Sequence, residues 1–172
     1  MILDIVSYPD PRLSLISMPV SGISDDLRTL VADMFETMYA FQGVGLAAPQ
    51  IGRLLRVIVM NPVPRESLPA PRVFVNPVLK PVGEQTLSEQ EGCLSVPLNY
   101  RADVLRYPSV FVTAIDLAGN SIAEMLSGFP AIVLQHEVDH LDGVLFINHI
   151  STLRRSLYDA KVKKWLIRKS SV

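Results

Sequence analysis

His136, Glu137 and His140 stand in the run His136-Glu137-Val138-Asp139-His140. On a helix, positions four apart lie one above the other, so His136 and His140 can grip one metal ion between them. Glu137 projects from the same side, within reach of a water on that ion. This is the spacing of a helical metal site with its own general base. The flanks predict the helix. Pro130 suits a first turn, where its missing N–H is not needed, and Gly143 suits the left-handed position just past the end. Ala131, Ile132, Val133, Leu134, Val138 and Leu141 make nearly every other side apolar, so the helix is expected to be buried. The plainer alternative is a core helix whose histidines are simply hydrogen-bonded.

A catalytic ion of this kind takes three protein donors and leaves a position for water. The extended pattern HExxHxxGxxH is followed through Gly143, but Phe146 stands where its last His belongs. No Glu occurs after Glu137, and His149 has no matching spacing and reads as a surface or hydrogen-bonded histidine. Upstream, Cys93 lies in Glu91-Gly92-Cys93-Leu94-Ser95. A lone cysteine is commonly a small buried hydrophobe. Beside Gly92 and at a turn out of a strand, it is also free to ligate. One thiolate and two imidazoles suit Fe(II), Zn, Ni or Co.

These residues need a scaffold. Ser24 reads as a helix cap followed by Asp25 and Asp26, with Leu27, Leu30, Val31, Met34 and Met38 as the buried stripe of a helix to about Phe41, ended by Gly43. Gly43 to Gln50 (GVGLAAPQ) is dense in small residues, which suits either a tight packed turn or a close backbone approach. Arg56–Met60, Arg72–Val75 and Val110–Asp116 read as strands, with a further strand around Leu87–Leu94 and a hairpin return over Ser121–Met125. Asn61–Pro71 is a proline-rich loop. Ser151 caps a last helix to about Lys169. Helix, strands and then helices predict an α+β fold: antiparallel or mixed sheets around a central metal-binding helix, with an N-terminal and a C-terminal helix.

The chain has 172 residues, 49% hydrophobic and 19% charged, which is enough for one domain with a real core. Lys+Arg 16 against Asp+Glu 17 leaves a formal net charge of -1, which points to neither DNA nor a membrane surface. The opening Met1-Ile2-Leu3-Asp4 has no basic, apolar signal pattern, and one cysteine forbids an internal disulfide, so a cytoplasmic location is expected.

Three stretches together carry a resemblance. GVGLAAPQ at 43–50, EGCLS at 91–95 and QHEVDHLDG at 135–143 resemble the three signature motifs of the peptide deformylases, and YPDPRL near the start is similar to theirs. The resemblance implies Cys93, His136 and His140 as ligands of one divalent ion, Fe2+ by family habit, with Zn2+, Ni2+ or Co2+ acceptable. It implies Glu137 as general acid/base, with Gln50 and the Leu94 N–H at the oxyanion and Gly45 along the substrate path. Val44, Phe129, Ile132 and Val133 would form the slot for a methionine side chain, with Glu91 at its edge. Arg101 would hold the substrate backbone, although it falls four residues after Pro97 where the family spacing is three. The implied reaction is removal of the formyl group from formyl-methionyl nascent chains by water activated at the metal. Arg154, Arg155, Lys161, Lys163, Lys164, Arg168 and Lys169 read as a solvated basic face, and the resemblance implies that they dock on the ribosome. Two other readings remain at this stage: a metallopeptidase cutting internal bonds, and a non-catalytic metal site.

Overall fold

The computed structural model describes residues 1–63 and 68–170. Residues 64–67 of the expected proline-rich loop lie outside the described residues. In chain order the elements are α1 (Asp25–Ala40), β1 (Gly45–Ala47), β2 (Val57–Met60), β3 (Arg72–Val82), β4 (Thr86–Glu91), β5 (Ala102–Arg106), β6 (Ser109–Ile115), β7 (Ser121–Ser127), α2 (Phe129–Leu141) and α3 (Thr152–Ser170). The fold is α+β. Five strands form one sheet in the order β1-β2-β3-β6-β7, and β4 pairs with β5 in a second. Among the described residues every strand pairing is antiparallel, and parallel pairing is limited to an isolated bridge between Met18 and Leu55.

Strand β2 shows why the sheet sits where it does. Val57 and Val59 pack with Leu27, Val31, Met34 and Met38 of α1, while Ile58 and Met60 pack with Ala131, Val133, Leu134 and Leu141 of α2. A strand covered on both faces reads as an unbroken apolar run rather than an alternation. A third core, built from Val96, Ala102, Val104, Phe146, Tyr158 and Val162, joins the small sheet to α3.

The helix boundaries follow local chemistry. The Ser24 hydroxyl accepts from the Leu27 N–H at 3.2 Å, as expected of a cap. Gly43 follows the end of α1 as expected, but the left-handed conformation there falls on the residue before it. Gln42 takes that conformation (φ 58°), and Gly43 donates its N–H to the Met38 carbonyl at 2.8 Å. A side chain on Gly43 would instead press on Leu94, 3.0 Å from the Cβ position. At the end of α2 the expectation holds. Gly143 has φ 72°, and a Cβ there would lie 2.6 Å from the Ser14 carbonyl oxygen, so both conformation and space demand glycine.

Other elements differ from the sequence reading. The third strand region ends at Glu91, not Leu94, which leaves Cys93 on the turn beyond it. Strand β3 runs on past Val75 through Pro77 and Pro81. A register shift between Val75 and Val78 absorbs the first proline, and β2 has already ended there, so no ladder bond on that edge is lost. Strands β1 and β5 were not anticipated. The last helix begins after Ser151 as expected, with the Ser151 hydroxyl accepting from the Arg154 N–H at 3.3 Å. Among the described residues no helix is long and apolar enough to cross a membrane.

Candidate metal centre

Helix α2 delivers His136 and His140 from one face, and the turn after β4 delivers Cys93 against them. One ligand atom from each of the three lies within 4.8 Å of the others. Cys93 Sγ is 3.2 Å from His140 Nε2. Among the described residues no fourth His, Cys, Asp or Glu joins the group. A sulfur with two imidazoles and no fourth side chain is the donor set of a catalytic ion rather than a closed structural one. The residues present therefore fit the implied metal.

The surroundings orient these donors. His136 Nδ1 donates to Glu91 Oε2 at 3.2 Å, which leaves its Nε2 for an ion. Glu91 is held in turn by Arg106, whose Nε and Nη2 each reach a carboxylate oxygen at 3.0 Å. Arg106 Nη1 donates to Asp139 Oδ2 at 2.6 Å, and His149 Nε2 lies 2.8 Å from the same oxygen. Burial alone would raise the Glu91 pKa, but His136 and Arg106 overcome it and hold it at about 2. The two histidines split. Burial and the neighbouring His136 push His140 well below its usual value. His136 is lifted well above its own, because Cys93 and Glu91 outweigh its burial.

Glu137 is placed differently. Its side chain is buried and its Oε2 has no hydrogen-bond partner among the described residues. Burial pushes its pKa up to about 7. Gly45 makes room for it: a Cβ there would overlap Oε1 and come within 2.9 Å of Cγ and Cδ. The dense small residues of 43–50 thus serve a close approach, as β1 passes over the carboxylate. Gln50 is pinned by its own oxygen, which accepts the Ala47 N–H at 2.8 Å. Its Nε2 is thereby directed to Cys93 Sγ (3.4 Å) and Ser95 Oγ (3.2 Å).

These groups line a cleft of about 730 Å³. Val44, Gly45, Gln50, Leu94, Arg101, Phe129, Ile132, Val133, His136, Glu137 and Cys93 all face it, while His140 lies behind. Glu91 lines the cleft as well, with its carboxylate engaged by Arg106 and His136. His149 is the hydrogen-bonded histidine expected. Arg106 and Asp139 escaped the sequence reading. The signal lay in β5, where period two puts Ala102, Val104 and Arg106 on the buried side. An inward arginine demands acidic partners.

An HExxH helix, a sulfur from an upstream turn and a buried acid at the floor of a cleft define a class: an α+β hydrolase. The polypeptide deformylase family model matches residues 2–156. A peptide deformylase of Acinetobacter baumannii is 46% identical over 164 residues, covering 95% of this chain and 91% of the relative. A crystal structure of peptide deformylase from Ehrlichia chaffeensis in complex with actinonin superposes with a TM-score of 0.87 at 41% identity, covering 95% of this chain and 96% of that one. A Met-Ala-Ser-bound class I type b peptide deformylase from Acinetobacter baumannii gives 0.80 at 39% identity, over 87% and 99%. The chain belongs to the polypeptide deformylase family, and it is an enzyme of that family.

Proposed function

We propose that the chain hydrolyses the terminal formamide of formyl-methionyl peptides, releasing formate and a free amine. The observation that carries this reading is the buried Glu137 carboxyl, its Oε2 without a partner among the described residues, beside three converging donors in the cleft. The relative that binds Met-Ala-Ser supports a peptide with methionine first. Cys93, His136 and His140 would hold one divalent ion, Fe2+ by the family's habit, and the same soft donor set would accept Zn2+, Ni2+ or Co2+. When bound, such an ion lowers the pKa of its water from about 15.7 to about 7 and polarises a carbonyl.

Everything else falls to the chain. Glu137 takes the proton from the attacking water and passes it to the departing amine nitrogen. The Gln50 Nε2–H and the Leu94 N–H donate to the formyl oxygen as negative charge grows there, worth about 3–4 kcal/mol per donor. Gly45 leaves the space in which Glu137 stands. Val44, Phe129, Ile132 and Val133 offer an apolar slot for the methionine side chain, and Arg101 meets the peptide backbone. Glu91 acts through His136 rather than on substrate. We assign the activity to one catalytic domain spanning 1–172, working in the cytoplasm. The test is formate release from formyl-Met-Ala-Ser beside cleavage of an unformylated peptide. Formate without internal cleavage is expected, and internal cleavage without formate identifies a peptidase instead.

The ribosome reading of α3 is narrower than its charge suggests. Arg155 is occupied by Tyr8, Asp159 and the Ile147 carbonyl. Lys161, Lys163, Lys164, Arg168 and Lys169 are exposed. Val162 is buried in the third core and Trp165 packs against it, so truncation after Lys161 would damage the fold. Changing Lys161, Lys163, Lys164 and Arg168 to Glu is expected to weaken co-sedimentation with ribosomes at least tenfold and to leave formate release unchanged. Unchanged co-sedimentation rejects the dock.

A further inference from the structure

Arg101 reaches the cleft over an uncommon backbone. Leu98 and Asn99 both take left-handed φ values, 65° and 52°. Tyr100 then packs on Tyr158 and Phe146, with ring centroids 4.3 and 6.3 Å away. These contacts fix the Arg101 backbone. The direction of its guanidinium is set on the far side, where β4 bulges. The register slips between Ser88 and Glu91, and Gln90 adopts φ 53°. The Gln90 carbonyl is thereby turned to accept from Arg101 Nη1 at 3.2 Å. Gly92 lets the guanidinium lie close, since a Cβ there would sit 3.1 Å from Arg101 Cζ.

A glutamine in the left-handed region needs support. Asp103, across the small sheet on β5, supplies it. Its Oδ1 accepts from the Gln90 backbone N–H at 2.9 Å and from Gln90 Nε2 at 3.2 Å. Gln90 and Arg101 line the cleft; Asp103 is not among its lining residues.

We propose that Asp103 is a positioning residue for peptide recognition: it holds the Gln90 bulge, and the bulge aims Arg101 at the substrate backbone beyond the first residue. This rests on the reading above that the cleft takes a formyl peptide and that Arg101 meets its backbone. Without Asp103, Gln90 returns toward extended geometry and Arg101 loses its fixed acceptor. The rotamer freedom of a long side chain must then be removed at each binding event, which weakens binding but leaves chemistry alone.

The experiment measures formate release from formyl-Met-Ala-Ser and from formyl-methionine amide, which lacks the downstream backbone. Asp103→Ala is expected to raise KM for the tripeptide about three- to tenfold, with kcat within twofold and the short substrate unaffected. Asp103→Asn, which keeps an acceptor oxygen, stays within about twofold of the parent. Gln90→Gly in the Asp103→Ala background recovers much of the loss, because glycine holds a positive φ unaided. Arg101→Ala raises the tripeptide KM at least as far, and Arg101→Ala with Asp103→Ala is no worse than Arg101→Ala. An unchanged tripeptide KM in Asp103→Ala or in Arg101→Ala overturns the proposal. So does a full additional factor in the double variant, or an equal loss of kcat on both substrates. A parent enzyme that releases no formate overturns the functional reading, and the proposal with it.

Discussion

Glu137→Gln is expected to lower kcat for formate release by about 10²–10⁴-fold while the bound ion is retained. Glutamine matches glutamate in shape, but its amide can neither accept the water's proton nor return it near neutral pH. The glutamate stands in a site that disfavours its charge: the side chain is buried, Oε2 has no partner among the described residues, and its pKa lies at about 7. A carboxyl poised near neutrality is suited both to accept a proton and to return it. Burial disfavours the charged form of this carboxyl, a penalty that a neutral amide does not carry, so the glutamine variant should melt no lower than the parent. Glu137 stands outside the three-residue donor group, so elemental analysis should find the parent's metal content. Turnover within threefold of the parent, with metal intact, would remove Glu137 from the proton-transfer role.

Cys93→Ala is the second large effect, and it strikes a different property. Outer partners of metal ligands are worth roughly 10–100-fold in affinity, and loss of a direct donor exceeds that. The purified variant is expected to carry little metal and to show almost no formate release, with no recovery when one equivalent of Fe2+ or Zn2+ is returned. The fold should survive. Cys93 is only partly buried, and its sulfur meets Gln50 Nε2 and the Ser95 N–H at 3.4 Å and His140 Nε2 at 3.2 Å, single weak contacts to sulfur rather than bonds of a strand ladder or helix. Full metal occupancy in this variant would show that the ion is held elsewhere.

Local rules made α2 legible. Its proline start, its Gly143 stop and its i, i+4 histidines are written within one short stretch, and each matches the observed helix. The Ser24 cap and the buried stripe of α1 were readable for the same reason. What local rules hide is pairing across distance. Strand β1 is a mere three residues, Gly45–Ala47, and exists because Met60, Val59 and Ile58 lie opposite. Strand β5 holds together through β4, with a bulge that no periodicity announces. The brace of Arg106, Glu91, Asp139 and His149 draws on residues from β4, β5, α2 and the segment after it, so its charges look unrelated along the chain. At the end of α1 two demands, left-handed geometry and lack of a side chain, could have fallen on one glycine. Here Gln42 meets the first and Gly43 the second.

The turn that carries Cys93 is tied from both sides. The Tyr8 N–H donates to the Ser95 carbonyl at 2.8 Å, and the Tyr158 hydroxyl donates to the Pro97 carbonyl at 3.0 Å. Tethers so remote in sequence close late, because loop entropy must be overcome before they form. Full affinity for a cation therefore belongs only to the finished molecule. A half-made or partly unravelled chain lacks the anchored thiol, and ion uptake followed during refolding becomes a reporter of final closure.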